Sequence, residues 1–266
     1  MLIIFFLLGL IVGSFLNVVI ARLYTAETIL GRSHCPHCQA KIRWYDNIPL
    51  FSFVVLGMRC RDCGEKISWQ YPLVELSTGI LFALTSYYFL EVDNTQSWLE
   101  VFYYLIVFSL LIIIFVYDFK YMEIPMIAVW LGTGATIVYY LLYDWMNFSS
   151  SLGIMSLNIF SGMLAGAAAF LFFFLLSAGS KEKWMGMGDS YVALLVGLIT
   201  KWPLIFAALI AAFTLGAIFG IILIVTGKKT MKSQVPFAPF LALGALLVIF
   251  IPQIFPAVKY WFLYFY

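Results

Sequence analysis

Apolar residues run in long uncharged blocks separated by short polar breaks, and these blocks set the architecture. The first, Leu2 to Ile20, has Asn17 as its one strongly polar residue. A second starts after Pro72 and ends near Leu90, and others follow at about 100–117, 125–143, 154–178, 190–200, 203–226 and 236–255. Most are long enough to cross a bilayer as helices, which takes about 20 residues. The pattern therefore predicts an all-α polytopic membrane protein with about eight transmembrane helices. The 190–200 block is short, marked only by Asp189 before it and Lys201-Trp202-Pro203 after it. The first block has no basic residue before it and no small-residue cleavage site after it, so a retained helix is expected rather than a signal peptide. Gly9, Gly13 and Ser14 give it a small-residue face for close packing, and Asn17 is expected to bond a neighbouring helix.

One long polar segment interrupts the pattern, Arg22 to Tyr71, where turns and short strands are expected. It holds all four cysteines of the chain as Cys35-x-x-Cys38 and Cys60-x-x-Cys63, 21 residues apart. Two such pairs match a four-thiolate zinc ribbon, a closed structural site in which each tight turn supplies two soft ligands. Two disulfides are the competing reading, disfavoured in a reducing cytosol. His34 and His37 flank the first pair and are expected outside the ligand set. A polar insert of this size has too little core to fold by burial alone, so metal would supply its folding energy. The division that follows is a first helix (1–22), a zinc-binding loop (23–71) and a membrane region (72–266).

Charge gives orientation. The first loop carries Arg22, Arg32, Lys41, Arg43, Arg59, Arg61 and Lys66; the third Lys120; the fifth Lys181 and Lys183; the seventh Lys228, Lys229 and Lys232. The intervening loops hold Glu91, Asp93 and Glu100, then Asp144, with no basic residue. The basic set is expected on the cytoplasmic side and both termini outside. Lys201 is the exception.

Composition then narrows the chemistry. The chain is 64% hydrophobic and 11% charged, with a mean hydropathy of +1.01. Both histidines lie in the polar insert, so no Ser-His or Cys-His pair is available in the membrane region. There is no HExxH, Walker loop or dinucleotide fingerprint. Hydrolytic chemistry would have to rest on carboxylates. Three of the thirteen acids lie at or inside apolar blocks: Glu75, Asp118 and Asp189. Ionisable groups there are functional candidates. Glu75, one turn into its helix, equally suits the helix dipole. Asp118 and Asp189 are expected on the same face of the membrane, where one carboxylate could activate water while the other, protonated, donates to a scissile carbonyl. Gly186 and Gly188 would allow a sharp turn and a close helix approach beside Asp189. The plainer readings are an N-cap for Asp189 and an interfacial acid paired with Lys120 for Asp118.

These residues, taken in order, resemble the prepilin peptidases, aspartic proteases of the GxGD type. The resemblance rests on Gly13-Ser14-Phe15-Leu16-Asn17, Ser33-His34-Cys35-Pro36-His37-Cys38, Trp44-Tyr45-Asp46-Asn47-Ile48-Pro49-Leu50 and Cys60-Arg61-Asp62-Cys63. It continues through Tyr71-Pro72-Leu73-Val74-Glu75-Leu76, Asp118 with Ile124-Pro125, Gly186-Met187-Gly188-Asp189 and Pro236-Phe237-Ala238-Pro239-Phe240. It implies removal of a short basic leader from prepilin or pseudopilin precursors at the cytoplasmic side of the bacterial inner membrane, with Asp118 and Asp189 catalytic. It also implies methylation of the new N-terminus from S-adenosylmethionine; Glu75 is the one candidate near that donor. No nucleic-acid partner is expected. Tyr191 stands where the family usually has lysine, Gln70 where it has arginine, and Ala238 where glycine is common. Rival readings are another GxGD intramembrane protease of the presenilin kind, or a transporter using Asp118 and Asp189 as a proton or cation site.

Overall fold

In a computed structural model, residues 1–28, 30–147, 157–183, 185–228, 230 and 234–255 are described. Residues 154–156 of one expected span, and Lys229 and Lys232 of the last basic loop, lie outside the described residues. Among the described residues all regular elements are helices: α1 (Leu2–Thr25), a one-turn 3-10 helix (Trp44–Asn47), α2 (Phe51–Val55), α3 (Gln70–Phe89), α4 (Thr95–Tyr121), α5 (Met126–Met146), α6 (Asn158–Ser180), α7 (Met187–Thr200), α8 (Ile205–Val225) and α9 (Ala238–Ile254).

The eight apolar blocks each become a helix, and five of these, α1, α4, α5, α6 and α8, are long and apolar enough to cross a membrane. The expectation of eight crossings is thus finer than length and composition support. Helices α7 and α9 are apolar but only 14 and 17 residues long. Helix α3 has the length but carries Ser77, Thr78, Thr85 and Ser86, whose hydroxyls donate back to carbonyls of their own helix at 2.7–3.1 Å. Such back-bonding satisfies the hydroxyl without a neighbour.

The chain forms two compact units, Met1–Ile113 and Ile114–Tyr266. In the first, α1 and α3 run antiparallel in close contact. A Cβ on Gly9 would sit 2.7 Å from the Gly79 Cα, and one on Gly13 would sit 2.7 Å from the Glu75 Cα. The expected small face of α1 is therefore where α3 packs. Asn17 fulfils its expectation too: its amide donates to the Tyr71 carbonyl at 3.1 Å, and Gln70 donates to the Asn17 side-chain oxygen at 3.3 Å. In the last turn of α1 the buried Arg22 guanidinium donates to the carbonyls of Thr28, Gly31 and Arg32 at 3.0–3.3 Å, folding the chain after the helix back on it.

In the second unit α7 is almost wholly buried and packs on α6 through Gly162, Gly166 and Gly197. A latch holds its C-terminal end. The Tyr140 hydroxyl on α5 donates to the Leu198 carbonyl at 2.8 Å, and the Lys201 ammonium lies 5.4 Å above the Tyr140 ring. Lys201 also donates to the Asn158 side-chain oxygen at 2.7 Å, and the Asn158 side-chain amide donates to Asp144 at 2.8 Å. Asp144 in turn accepts the first main-chain N–H groups of α6, from Asn158 and Ile159, at 3.1 and 3.0 Å. The lysine that broke the charge pattern therefore serves a polar network. Asp144→Ala is expected to destabilise the unit by about 1–2 kcal/mol, the cost of uncapping a helix start. Denaturant unfolding in detergent checks this, and an unchanged midpoint would count against the latch.

Candidate functional site

The second unit brings the two expected aspartates together. Asp118 lies one turn before the end of α4, and Asp189 is the third residue of α7; both are buried. The negative charge of Asp118 acts on Asp189, and the main-chain N–H of Ala238 is presented to both carboxylates. One oxygen of Asp118, Oδ2, is buried without a hydrogen-bond partner among the described residues. An unsatisfied buried carboxylate oxygen is costly and requires an explanation.

Asp189 is not the N-cap of α7, although the Gly186 N–H faces its carboxylate, and among the described residues Asp118 is not paired with Lys120. The N-cap of α7 is Gly186, whose carbonyl accepts the Asp189 N–H at 3.2 Å, so Asp189 sits inside the first turn. Lys120 places its ammonium 4.9 Å over the Tyr121 ring, and no ion pair joins it to Asp118 among the described residues. The two glycines differ in use. Gly188 approaches Ile124 so closely that a Cβ would come within 2.8 Å of its side chain. Gly186 has φ −71° and ψ 150°, extended backbone open to any residue, so the turn does not use its freedom.

The neighbourhood is aromatic. Tyr191 lies between Trp130 and Phe170, at ring distances of 5.6 and 5.4 Å. A lysine there would put its stem and charge between two rings, so the tyrosine fits this packing. Phe237 contacts Phe213 at 5.1 Å and Phe173 at 5.8 Å, which fixes the start of α9 and with it the Ala238 amide. The role of that amide was not apparent in the sequence, although the Pro236–Phe240 run marked the place.

In the first unit the four cysteines converge. Their sulfurs all lie within 4.8 Å of one another, with Cys35 and Cys63 4.0 Å apart and none in a disulfide. Tetrahedral thiolate coordination at about 2.3 Å implies sulfurs about 3.8 Å apart. The cluster therefore fits a zinc-sized ion. His34 and His37 stay outside it. The two turns repeat one design. Cys35 N–H donates to Ala40 and Gln39 N–H returns to Cys35; Cys60 N–H donates to Glu65 and Gly64 N–H returns to Cys60. Each turn closes through a left-handed residue, Gln39 (φ 60°) and Gly64 (φ 72°). The short strands expected in the insert reduce to two isolated bridges, His34 with Lys41 and Arg59 with Lys66. Arg61 grips Asp46 through two bonds of 2.9 and 2.6 Å, which holds that carboxyl below its usual range.

The thiols are unequal without a cation. N–H groups of Cys63 and Asp62 bring Cys60 down to about 7. The Glu65 N–H favours the Cys63 thiolate, but desolvation and the other thiols outweigh it and push Cys63 up to about 12. Only thiolates bind metal, so loading must expel protons. Zinc affinity is therefore expected to fall as pH falls, by about tenfold per unit for each proton released. Chelator competition between pH 6 and 8 measures the slope, and a flat profile would contradict it.

Glu75, the third acid, is engaged by its own chain: it accepts the Leu50 main-chain N–H at 2.8 Å, with the Ser14 hydroxyl as its second partner.

Residues 7–89 match the family described as Bacterial Peptidase A24 N-terminal domain, and residues 105–221 match the Type IV leader peptidase family. The chain is 36% identical to a prepilin leader peptidase/N-methyltransferase of Myxococcus xanthus over 86% of its own length and 65% of that protein's. The enzyme of the same name from Bacillus subtilis is 31% identical, with 93% of each chain covered. A type 4 prepilin-like proteins leader peptide-processing enzyme of Escherichia coli is 35% identical at the same coverage. No solved structure matches the chain. With the last two of these relatives at 31% and 35% identity matched over 93% of their length, the chain belongs to the type IV leader peptidase family.

Proposed function

We propose that the chain is an aspartic endopeptidase of the bacterial cytoplasmic membrane that removes the leader of prepilin-like precursors, with Asp118 and Asp189 as its catalytic pair. The observation that carries this reading is that two buried carboxylates both face the Ala238 main-chain N–H, while Asp118 Oδ2 has no hydrogen-bond partner among the described residues. In such a pair one ionised carboxylate takes a proton from water as the oxygen attacks the peptide carbonyl. The other, neutral, gives its proton to the carbonyl oxygen. The proton taken from water then goes to the leaving amine as the C–N bond breaks, and a hydroxyl of the tetrahedral adduct returns its proton to the second carboxylate as the C=O bond re-forms. The division at residues 22/23 and 71/72 rests on the polar insert between apolar blocks, and the cytoplasmic placement of the zinc loop and both aspartates on the alternation of basic and acidic loops.

Purified protein and a prepilin-like precursor test the pair. Asp118→Asn and Asp189→Asn are each expected to lower the cleavage rate by at least about 10²-fold. Undiminished cleavage by either variant would refute the assignment.

The cysteine cluster is assigned to zinc, held by Cys35, Cys38, Cys60 and Cys63 as a structural ion. N-methylation of the new terminus is carried by the names of the relatives, with S-adenosylmethionine supplying an electrophilic methyl group. Glu75 is the buried acid of the first unit to test for that role. Its bonds to Leu50 and Ser14 fit a tether better than a ligand. Labelled donor in the cleavage assay separates the activities: cleaved, unlabelled product from wild type would mean a peptidase alone.

A further inference from the structure

The zinc insert contains one stretch that does not suit water. Asn47 to Met58 carries no charge and reads Ile-Pro-Leu-Phe-Ser-Phe-Val-Val-Leu through its centre, between Arg43 and Arg59. Its core is α2. Ser52 and Phe53 face inward: the Ser52 hydroxyl donates to the Tyr45 carbonyl at 2.8 Å, and the Phe53 ring meets Trp69 edge-on at 5.1 Å. Phe51, Val54 and Val55 form the opposite face and are 62%, 71% and 61% exposed. Three large apolar side chains exposed on one face of one turn need a cover.

The depth of this stretch indicates what covers it. The charge-free run of α1 from Leu2 to Ala21 would span about 30 Å, the thickness of a hydrocarbon core. Arg22 marks its end. Gly13 is level with Glu75, since a Cβ on it would touch the Glu75 Cα. Gly13 lies nine residues below Arg22, about 13 Å along the helix. Glu75 holds the Leu50 N–H at 2.8 Å. Even if its side chain reaches back one turn, about 5 Å, Leu50 and the start of α2 remain below the level of Arg22. Leu50 itself has φ 60° and ψ −46°, a conformation costly for a branched residue, and the Glu75 bond fixes the bend that turns the stretch back.

We infer that Asn47–Met58 is a re-entrant membrane anchor, with Phe51, Val54 and Val55 seated among the acyl chains of the phospholipid leaflet that bounds the insert. Most of its main-chain N–H groups have partners: α2 supplies its own bonds, Ile48 N–H donates to the Ser52 hydroxyl at 3.1 Å, and Glu75 takes the Leu50 N–H. Arg43 and Arg59, both exposed, bracket the anchor in sequence; Arg43 donates to the Tyr45 hydroxyl and Arg59 to the Gly64 carbonyl, and each keeps further N–H groups for lipid phosphates. Exposed Trp69, at the start of α3, sits at the same boundary as an interfacial aromatic. Glu75 is then a positioning residue that draws the zinc loop down onto the bilayer.

Full-length protein in phosphatidylcholine–phosphatidylglycerol nanodiscs tests this by fluorescence. Val54→Trp and Val55→Trp are compared with the wild type, and zinc stoichiometry verifies the fold of each. The added emission is expected to be quenched by lipids brominated on the acyl chain and to resist iodide. Glu65→Trp, on the second cysteine turn, is expected to behave in the opposite way. Phe51→Trp reports on the same face should either valine variant lose its zinc. Iodide quenching without lipid quenching at these positions would overturn the anchor. Lipid quenching that vanishes on adding precursor would instead make the precursor helix the occupant and equally overturn it.

Discussion

Stripping the zinc, or replacing Cys60 with serine, is expected to abolish the folded insert while leaving α1 and α3 joined. The insert has little else to hold it: Cys35, Ser52 and Phe53 are its buried residues among residues 33–67, and its named ion pair, Arg61 with Asp46, is at the surface. Surface pairs of this kind contribute little. Four-thiolate zinc sites in small modules supply about 10–16 kcal/mol, effectively all of the folding free energy. Limited proteolysis with metal analysis reads the result: cleavage between the cysteine turns should appear as zinc is lost. The helix pair should persist, because its close packing at Gly9 and Gly13 and the Asn17–Tyr71 bond involve no cysteine. An insert that stays protease-resistant and zinc-loaded after Cys60→Ser would refute the four-thiolate site.

Gly197→Val is expected to be nearly as damaging in the second unit. A Cβ there would lie 2.7 Å from both the Ala165 carbonyl oxygen and the Gly166 Cα. These are main-chain atoms of α6, so no rotamer change relieves the clash and the helices must separate. Overpacking of this kind costs about 1–3 kcal/mol or more. The same separation moves α7, which carries Asp189, and a displacement near 1 Å costs about 10²-fold in rate. Both unfolding midpoint and cleavage rate should fall. Gly220→Ala on α8, where an added Cβ meets nothing within 4 Å, should be silent or stabilise by about 0.5–1 kcal/mol. A Gly197→Val enzyme that unfolds and cleaves like the wild type would show that the packing is not limiting.

The helices were legible because an uncharged run has few alternatives in lipid. Asp118, Asp189 and the cysteines stood out because carboxylates are rare in apolar runs and paired CxxC spacings are specific. Three things were hidden. The Ala238 contribution is a main-chain amide, which no side-chain pattern encodes. The Asp144–Asn158–Lys201 network joins residues far apart in sequence, so Lys201 read as a charge out of place. The apolar stretch Asn47–Met58 was visible but averaged away inside a segment judged by its lysines and arginines. Gly186 shows the opposite error: a glycine in a motif suggested a sharp turn that needs its freedom, where the backbone is ordinary.

The shared amide at Ala238 shapes what substitution can do there. A main-chain donor survives every side-chain replacement except proline, while the fully enclosed position leaves no room for a larger group. In a saturation scan the site would register as a size limit with a prohibition on proline. Glycine and alanine would score alike, which accounts for the alanine found where glycine is common. Sequence variation would mark the position as tolerant of small residues, while the group that matters to both carboxylates stays constant beneath it.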